Sequence, residues 1–342
     1  MLTNIAKLSA AILAASLSLP ASAGPALLFD AADGRILYAE DIDDQWHPAS
    51  LTKIMTAYVT FEAIKEGKLS LASKISCSEL ANSQSPSKIG LPVGAEMTVE
   101  QALGALIVKS ANDVAVMLAE AVSGSQEAFV ERMNATAARL GMTRTKFANA
   151  NGLPDPQQVT TARDLARLAS AVVHDFPEHA ALWSMLEVRI GKRRLHTHNS
   201  LLTNYEGADG LKTGFICDSG FNVVASATRD GLRLIAVVLG EATGHERSLR
   251  AASLLEHGFQ TYPWRGLFET QTLSAMPIAA DAKGPMTMRE AVVSFECGTR
   301  RRVAKVKKKG QVVAGKSQPP SPPPPRKAAA RKVAAPGLKT QQ

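Results

Sequence analysis

The sequence predicts a mixed α/β fold of the α+β kind. One sheet is built from both ends of the domain, with a helical layer and a helical insertion. Three observations lead there. Strand signals lie early, from Ala26 to Ala39, and return late, from Gly214 to Thr228 and from Leu232 to Leu239. Between them run several helical patterns with apolar residues three and four apart. Hydrophobic residues make up 45% of the chain and charged residues 20%, enough to bury a sizeable core and to exclude global disorder.

The elements follow in order. Ala26 to Ala39 reads as two strands around Asp33-Gly34, a hairpin signal. After His47-Pro48-Ala49, the residues Leu51, Ile54, Met55, Tyr58 and Phe61 share one helical face, and Gly67 ends the run. Thr98 with Gln101 three residues on is a capping box that opens a helix through Leu103, Leu106 and Ile107. Further helices run from Asp113 to Val122, from Ser125 to Leu140 with Gly141 as the stop, and from Thr161 and Asp164 through Leu165, Leu168 and Val172. Arg189 to Leu202 then reads as a strand, as do the two late runs, which are joined by Arg229-Asp230-Gly231. A helix from Glu246 to His257 closes this part.

The ends of the chain have a different character. Lys7, the apolar run Leu8 to Leu19, Pro20 and Ala21-Ser22-Ala23 read as a secretory signal peptide cut after Ala23. The run is short for a membrane span of about 20 residues. An exported protein follows, periplasmic and either soluble or peripherally attached to a membrane. The net charge of +8 is uneven: residues 300–342 carry 13 Lys and Arg and no acid. Residues 1–299 carry 26 basic and 31 acidic residues, a net −5. A basic nucleic-acid-binding fold is therefore not expected. The tail, with Pro322 to Pro325, cannot build a core. Its charge suits either anionic cell-wall or membrane polymers, or no specific partner. Four segments result: 1–23 signal peptide, 24–265 globular domain, 266–299 without a firm assignment, and 300–342 basic disordered tail.

Three short motifs carry chemistry. Ser50 and Lys53, one helical turn apart, project from the same face at a helix start. Unpaired N–H groups there favour developing negative charge. A serine hydroxyl is a weak nucleophile until a base takes its proton, and Lys53 can be that base if burial and a second cation keep it neutral. Ser110-Ala111-Asn112 sits on a turn between helices, where a hydroxyl can relay a proton and a carboxamide can bond a peptide amide. Lys212-Thr213-Gly214 enters a strand; ammonium and hydroxyl suit a substrate carboxylate, and Gly214 lets a ligand backbone approach. An extended peptide could add to that edge. Singly, each motif has a bland reading: a cap, a solvated lysine, a surface turn. Together, in this order and context, they match the trio of class A β-lactamases and penicillin-binding proteins, with Ala111 at the usual aspartate.

Over about Gly24 to Tyr262 the chain resembles the low-molecular-weight penicillin-binding proteins, serine-type D-alanyl-D-alanine carboxypeptidases. The resemblance rests on Pro48 to Ala57, Lys109 to Ala115, Phe147 to Leu153, Thr161 to Leu165, Asn199 to Leu202, Asp209 to Gly214 and Ser219 to Asn222. It implies a β-lactamase/transpeptidase-like fold for 24–265. It also implies a stem-peptide substrate ending in D-Ala-D-Ala, inhibition by β-lactams, and no cofactor or metal. Ser50 would be the acylated nucleophile, Lys53 its base and Ser110 the proton relay. Asn112, Lys212, Thr213 and Gly214 would bind substrate. Phe215 would give an oxyanion-hole N–H with that of Ser50, and Arg247 would stand near the carboxylate. A solvated helix charge is the alternative for Arg247. The usual C-terminal β-rich domain has room only in the short 266–299 segment, and the tail is too poor in large apolar residues for an anchoring helix.

Other readings stay open. A DD-endopeptidase of the same superfamily fits the same motifs, and a non-catalytic wall-binding protein is a further alternative. A class A β-lactamase is disfavoured, because the E-x-x-x-N spacing is missing after the middle motif: Glu131 and Asn134 stand one residue too close. His196 and His198 read as sharing one strand face, but lack a third metal ligand. Asp41, Asp43 and Asp44 read as solvated rather than calcium-binding. Export would permit a Cys77–Cys217 disulfide, and the sequence leaves that pairing open.

Overall fold

The structure, a computed structural model, describes residues 24–265, 271–292 and 297; the predicted signal peptide and basic tail lie outside the described residues. The chain opens with β1 (Ala26–Asp30) and β2 (Ile36–Glu40), turning at Gly34 with φ +73°. It returns at the end with β7 (Ala208–Ile216), β8 (Gly220–Arg229) and β9 (Leu232–Glu241). These strands form one antiparallel sheet in the order β2-β1-β9-β8-β7, so both ends of the domain meet at the β1–β9 pair.

Side chains alternate across that sheet as the pleat requires. Leu27, Phe29, Val224, Ile235 and Val237 face the main helical body. Ala26, Leu28, Val223, Leu234, Ala236 and Val238 face the opposite way, onto Ala251, Leu254 and Leu255 of the last helix. The body holds α1 (Thr52–Lys65), entered through a 3-10 turn at Ala49–Leu51, and α6 (Ala162–Asp175). An insertion carries β3 (Lys74–Ser76), α2 (Glu79–Ser83), β4 (Glu96–Thr98), α3 (Val99–Gly104), α4 (Asn112–Ser123) and α5 (Gln126–Arg139). Short pieces follow: α7 (Ala180–Trp183), the hairpin β5 (Glu187–Ile190) and β6 (Arg193–His196), and α8 (Leu201–Asn204); α9 (Gly244–Arg265) closes the domain. Among the described residues no helix is long and apolar enough to cross a membrane.

Local chemistry explains the helix starts. Thr98 and Gln101 form the reciprocal capping box at α3. Ser125 caps α5 and Thr161 caps α6, each through its side-chain oxygen. The π-helical turn Ala105–Lys109 follows α3 and ends at Ser110, whose backbone is left-handed at φ 59°, ψ 38°.

Several expectations need correction. Arg189 to Leu202 is not one strand: a two-residue loop at Gly191-Lys192 folds it into β5 and β6, and α8 follows. Gly214 to Thr228 is also broken, by the turn Cys217-Asp218-Ser219 between β7 and β8. Helix α1 is buried all round from Thr52 to Phe61 rather than on one face, because it runs between the sheet and the insertion. Two of its buried threonines are satisfied: Thr56 Oγ1 donates to the Ala150 carbonyl at 2.5 Å, and Thr60 Oγ1 to that of Thr56 at 2.7 Å. Cys77 is a free thiol buried in the core, and Cys217 pairs with Cys297 instead, 80 residues away in sequence.

Asp43 and Asp44 are buried, not solvated. Both oxygens of Asp43 receive the Arg163 guanidinium, at 2.6 and 2.8 Å, and the same guanidinium donates to the carbonyls of Met276 and Pro277. The Asp44 carboxylate accepts the Lys283 amide at 2.8 Å. A buried pair is costly to break from one side, because the partner charge stays in a poor solvent. Arg163→Ala is expected to lower unfolding free energy by about 3–5 kcal/mol, read by urea denaturation. A loss below about 1 kcal/mol would show that the pair is not a structural tie.

Candidate active site

The cleft lies where the outer edge of β7 meets the start of α1 and the turn before α4. It encloses about 700 Å³. Ser50, Ser110, Asn112, Thr213, Gly214, Phe215 and Arg247 all line it.

Packing fixes Ser50 against β7. A Cβ on Gly214 would fall 2.9 Å from the Pro48 carbonyl oxygen and 3.2 Å from the Ser50 nitrogen, so only glycine permits this approach. On the other side Gly152, at φ +83°, would drive a Cβ into the Ala49 carbonyl. Asn222 of β8 is fully buried and donates to the His47 carbonyl at 3.1 Å while accepting the Gly240 amide at 2.9 Å. It ties the sheet to the segment that enters Ser50.

Lys53 is buried beneath the serine, 1% exposed. Its Nζ lies 3.0 Å from Ser50 Oγ and 2.7 Å from Asn112 Oδ1, and it also bonds the Asn151 carbonyl oxygen. Burial drives the Lys53 pKa well below that of a free lysine, the Lys212 charge lowers it further, and Asp113 opposes the fall. Asp113 itself anchors the neighbouring loop, accepting the amides of Ile89 and Gly90 at 3.0 and 2.8 Å.

Ser110 is nearly buried, and its Oγ has no hydrogen-bond partner among the described residues. A left-handed serine with an unpaired hydroxyl facing a cleft is a strained and costly arrangement. Asn112 is already engaged: beyond the Lys53 contact, its Nδ2 donates to the Ser85 carbonyl at 2.8 Å. Its second N–H is the one left for a ligand.

Lys212 is buried next to the cleft, with Nζ 3.0 Å from the Thr213 carbonyl oxygen. Burial, and then the Arg247 charge, bring its pKa down to about 7. Arg247 is 8% exposed, not a solvated helix charge, and its Nε has no partner among the described residues. Burial lowers even the guanidinium, to about 10. Phe215 stacks on Phe221 with ring centroids 4.2 Å apart, both at the cleft wall.

Sequence reasoning missed two participants. The Asn151 carbonyl is a backbone group without a side-chain signature. His198 lines the cleft, while His196 ends β6 on the surface, so the two do not share a strand face. Burial, then Lys212, Lys109 and Arg247, push the His198 pKa down to about 4, so the imidazole is neutral at pH 7. Among the described residues no cluster of potential metal ligands occurs.

A serine, a buried lysine and a second serine with an unpaired hydroxyl thus meet around one cleft. The D-alanyl-D-alanine carboxypeptidase family model matches residues 13–243. The chain belongs to that family, and its fold is that of the penicillin-binding proteins. It is 38% identical over 263 residues to D-alanyl-D-alanine carboxypeptidase DacC of Escherichia coli, covering 75% of this chain and 63% of the relative. Against DacF of Bacillus subtilis it is 34% identical over 258 residues, covering 74% and 66%. The chain thus spans slightly less than two thirds of these relatives. Penicillin-binding protein 5 of Haemophilus influenzae superposes with a TM-score of 0.68 at 37% identity, covering 70% of this chain and 71% of that one. Penicillin-binding protein D2 of Listeria monocytogenes, in its cefotaxime-bound form, gives 0.63 at 32% identity, covering 69% and 97%.

Proposed function

We propose that this protein is an exported serine DD-carboxypeptidase that removes the terminal D-alanine of peptidoglycan pentapeptides and is acylated by β-lactams at Ser50. The observation that carries it is the set of partners around Lys53. A neutral amine has two N–H donors and one lone pair. Two of the three partners, the Asn112 and Asn151 carbonyl oxygens, can only accept. The two donors go there, and the lone pair is left facing Ser50 Oγ at 3.0 Å. Burial and the Lys212 charge both shift the Lys53 amine toward that neutral form.

On this reading Ser50 Oγ attacks the penultimate carbonyl carbon as its proton passes to Lys53. The N–H groups of Ser50 and Phe215 bond the developing oxyanion, donors worth roughly 2.7–4 kcal/mol each at such sites. As the C–N bond breaks, the hydroxyl of Ser110 gives its proton to the departing D-alanine nitrogen and takes in its place the one held on Lys53. Lys212, Thr213 and Arg247 receive the terminal carboxylate, and the second N–H of Asn112 bonds the peptide. Water then hydrolyses the ester. The site lies in 24–265, and a substrate outside the cytoplasmic membrane agrees with the signal peptide expected at 1–23. Incubation with a muramyl pentapeptide should release one D-alanine per chain cleaved. Cleavage confined to cross-linked dimeric muropeptides would make it an endopeptidase, and turnover of neither would remove the enzyme reading.

The pH profile offers a second check. In the free enzyme kcat/KM should rise as Lys53 loses its proton and fall as Lys212 does, near its pKa of about 7. Arg247 depresses Lys212 by repulsion, so Arg247→Gln should move the basic limb to higher pH even where the overall rate drops. A limb that stays or moves down would contradict the pairing of Lys212 with the substrate carboxylate.

A further inference from the structure

The cleft wall beyond Gly214 is held from outside by chain that follows the last helix. Cys217 lines the cleft and is bonded to Cys297. The next residue, Asp218, is gripped by 287–289. Its carbonyl accepts the Met288 amide at 2.9 Å. Its carboxylate accepts Arg289 Nε at 3.0 Å and Nη2 at 2.8 Å, and Thr287 Oγ1 at 3.1 Å. From inside, Trp46 Nε1 donates to the Ser219 carbonyl at 2.9 Å. The Arg289 pair is exposed and by itself contributes little. The disulfide and the backbone bond carry the weight.

We propose that residues 287–289 and Cys297 form a clasp that positions the outer end of β7 for substrate. This rests on the acyl-transfer reading of the cleft. Strand β7 is the edge of the sheet; Phe215 is held by its pairing and ring stacking with Phe221 of β8, and only Ile216 and Cys217 continue the cleft wall beyond it toward the clasp. A stem peptide, or the acyl side chain of a penicillin, must lie along that wall. Ser50, Lys53 and Ser110 are held by other contacts, from Asn222, Asn112, Asn151 and the π-helical turn. Opening the clasp therefore loosens the binding of what extends along β7 and leaves the chemistry at Ser50 in place.

The test compares two penicillins on the full chain: benzylpenicillin, with an aromatic side chain, and 6-aminopenicillanic acid, with none. For Cys217→Ser/Cys297→Ser we expect the ratio of their second-order acylation rates to fall about tenfold, equal to ~1.4 kcal/mol. The loss should appear in the concentration for half-maximal rate, while the limiting acylation rate stays within about twofold. Should that variant not fold, the native protein is treated with a dithiol. The dithiol closes to a cyclic disulfide as its two electrons and two protons pass to the Cys217–Cys297 bond. The same fall in ratio is expected, and it should reverse on reoxidation. An unchanged ratio, or an equal fall for both penicillins as general loosening would give, overturns the clasp. A native chain that reacts with neither penicillin removes the acyl-transfer reading itself, and the clasp with it.

Discussion

Ser50→Ala is expected to abolish D-alanine release, lowering kcat by about 10⁴-fold or more, as loss of the nucleophile does in other covalent serine enzymes. The change removes one oxygen from a site whose walls are set by other groups. Gly214, Gly152 and Asn222 fix the backbone on either side of Ser50 without using its side chain. Lys53 keeps its bonds to Asn112 and Asn151. The variant should therefore melt near the native temperature and still bind a pentapeptide reversibly. Inactivity with retained binding, measured by calorimetry, is the expected pair of results. Retained turnover would place the nucleophile elsewhere.

Lys53→Met should have the next largest effect, a fall of about 10²–10⁴ in the acylation rate, the range of general-base catalysis. Methionine fills similar space but has no lone pair suited to the serine proton. It also leaves the Asn112 and Asn151 carbonyl oxygens without their donor, so a loss of about 1–3 kcal/mol of stability for each group left unpaired should accompany it. The two effects separate. Stability is read by denaturation, and acylation is read as rate per folded chain. High pH should not rescue the variant, because no residual base is being deprotonated. A variant that acylates within a few fold of the native rate would show that Lys53 is a structural amine and not the base.

What the sequence discloses and conceals divides along physical lines. Local signals read well. The Asp33-Gly34 turn and the caps at Thr98, Ser125 and Thr161 depend on neighbours within a few residues. The paired ends of the sheet follow from where the strand signals fall. The three motifs were legible because their chemistry lies in side chains, and the structure brings them to one cleft. Long-range pairings were not legible. Nothing near Asp43 announces Arg163, 120 positions on, and nothing near Cys217 selects Cys297 over Cys77. The Asn151 carbonyl belongs to the backbone and has no letter of its own. His198 leaves the predicted strand face because the loop at Gly191-Lys192 folds that run into a hairpin whose second strand ends at His196.

The most direct test is intact mass after brief exposure to benzylpenicillin, followed by peptide mapping of the adduct. One penicilloyl group per chain is expected, on the peptide that carries Ser50, forming faster as the pH rises through the depressed pKa of Lys53. A chain that gains no mass, or carries the adduct on any other residue, would contradict it.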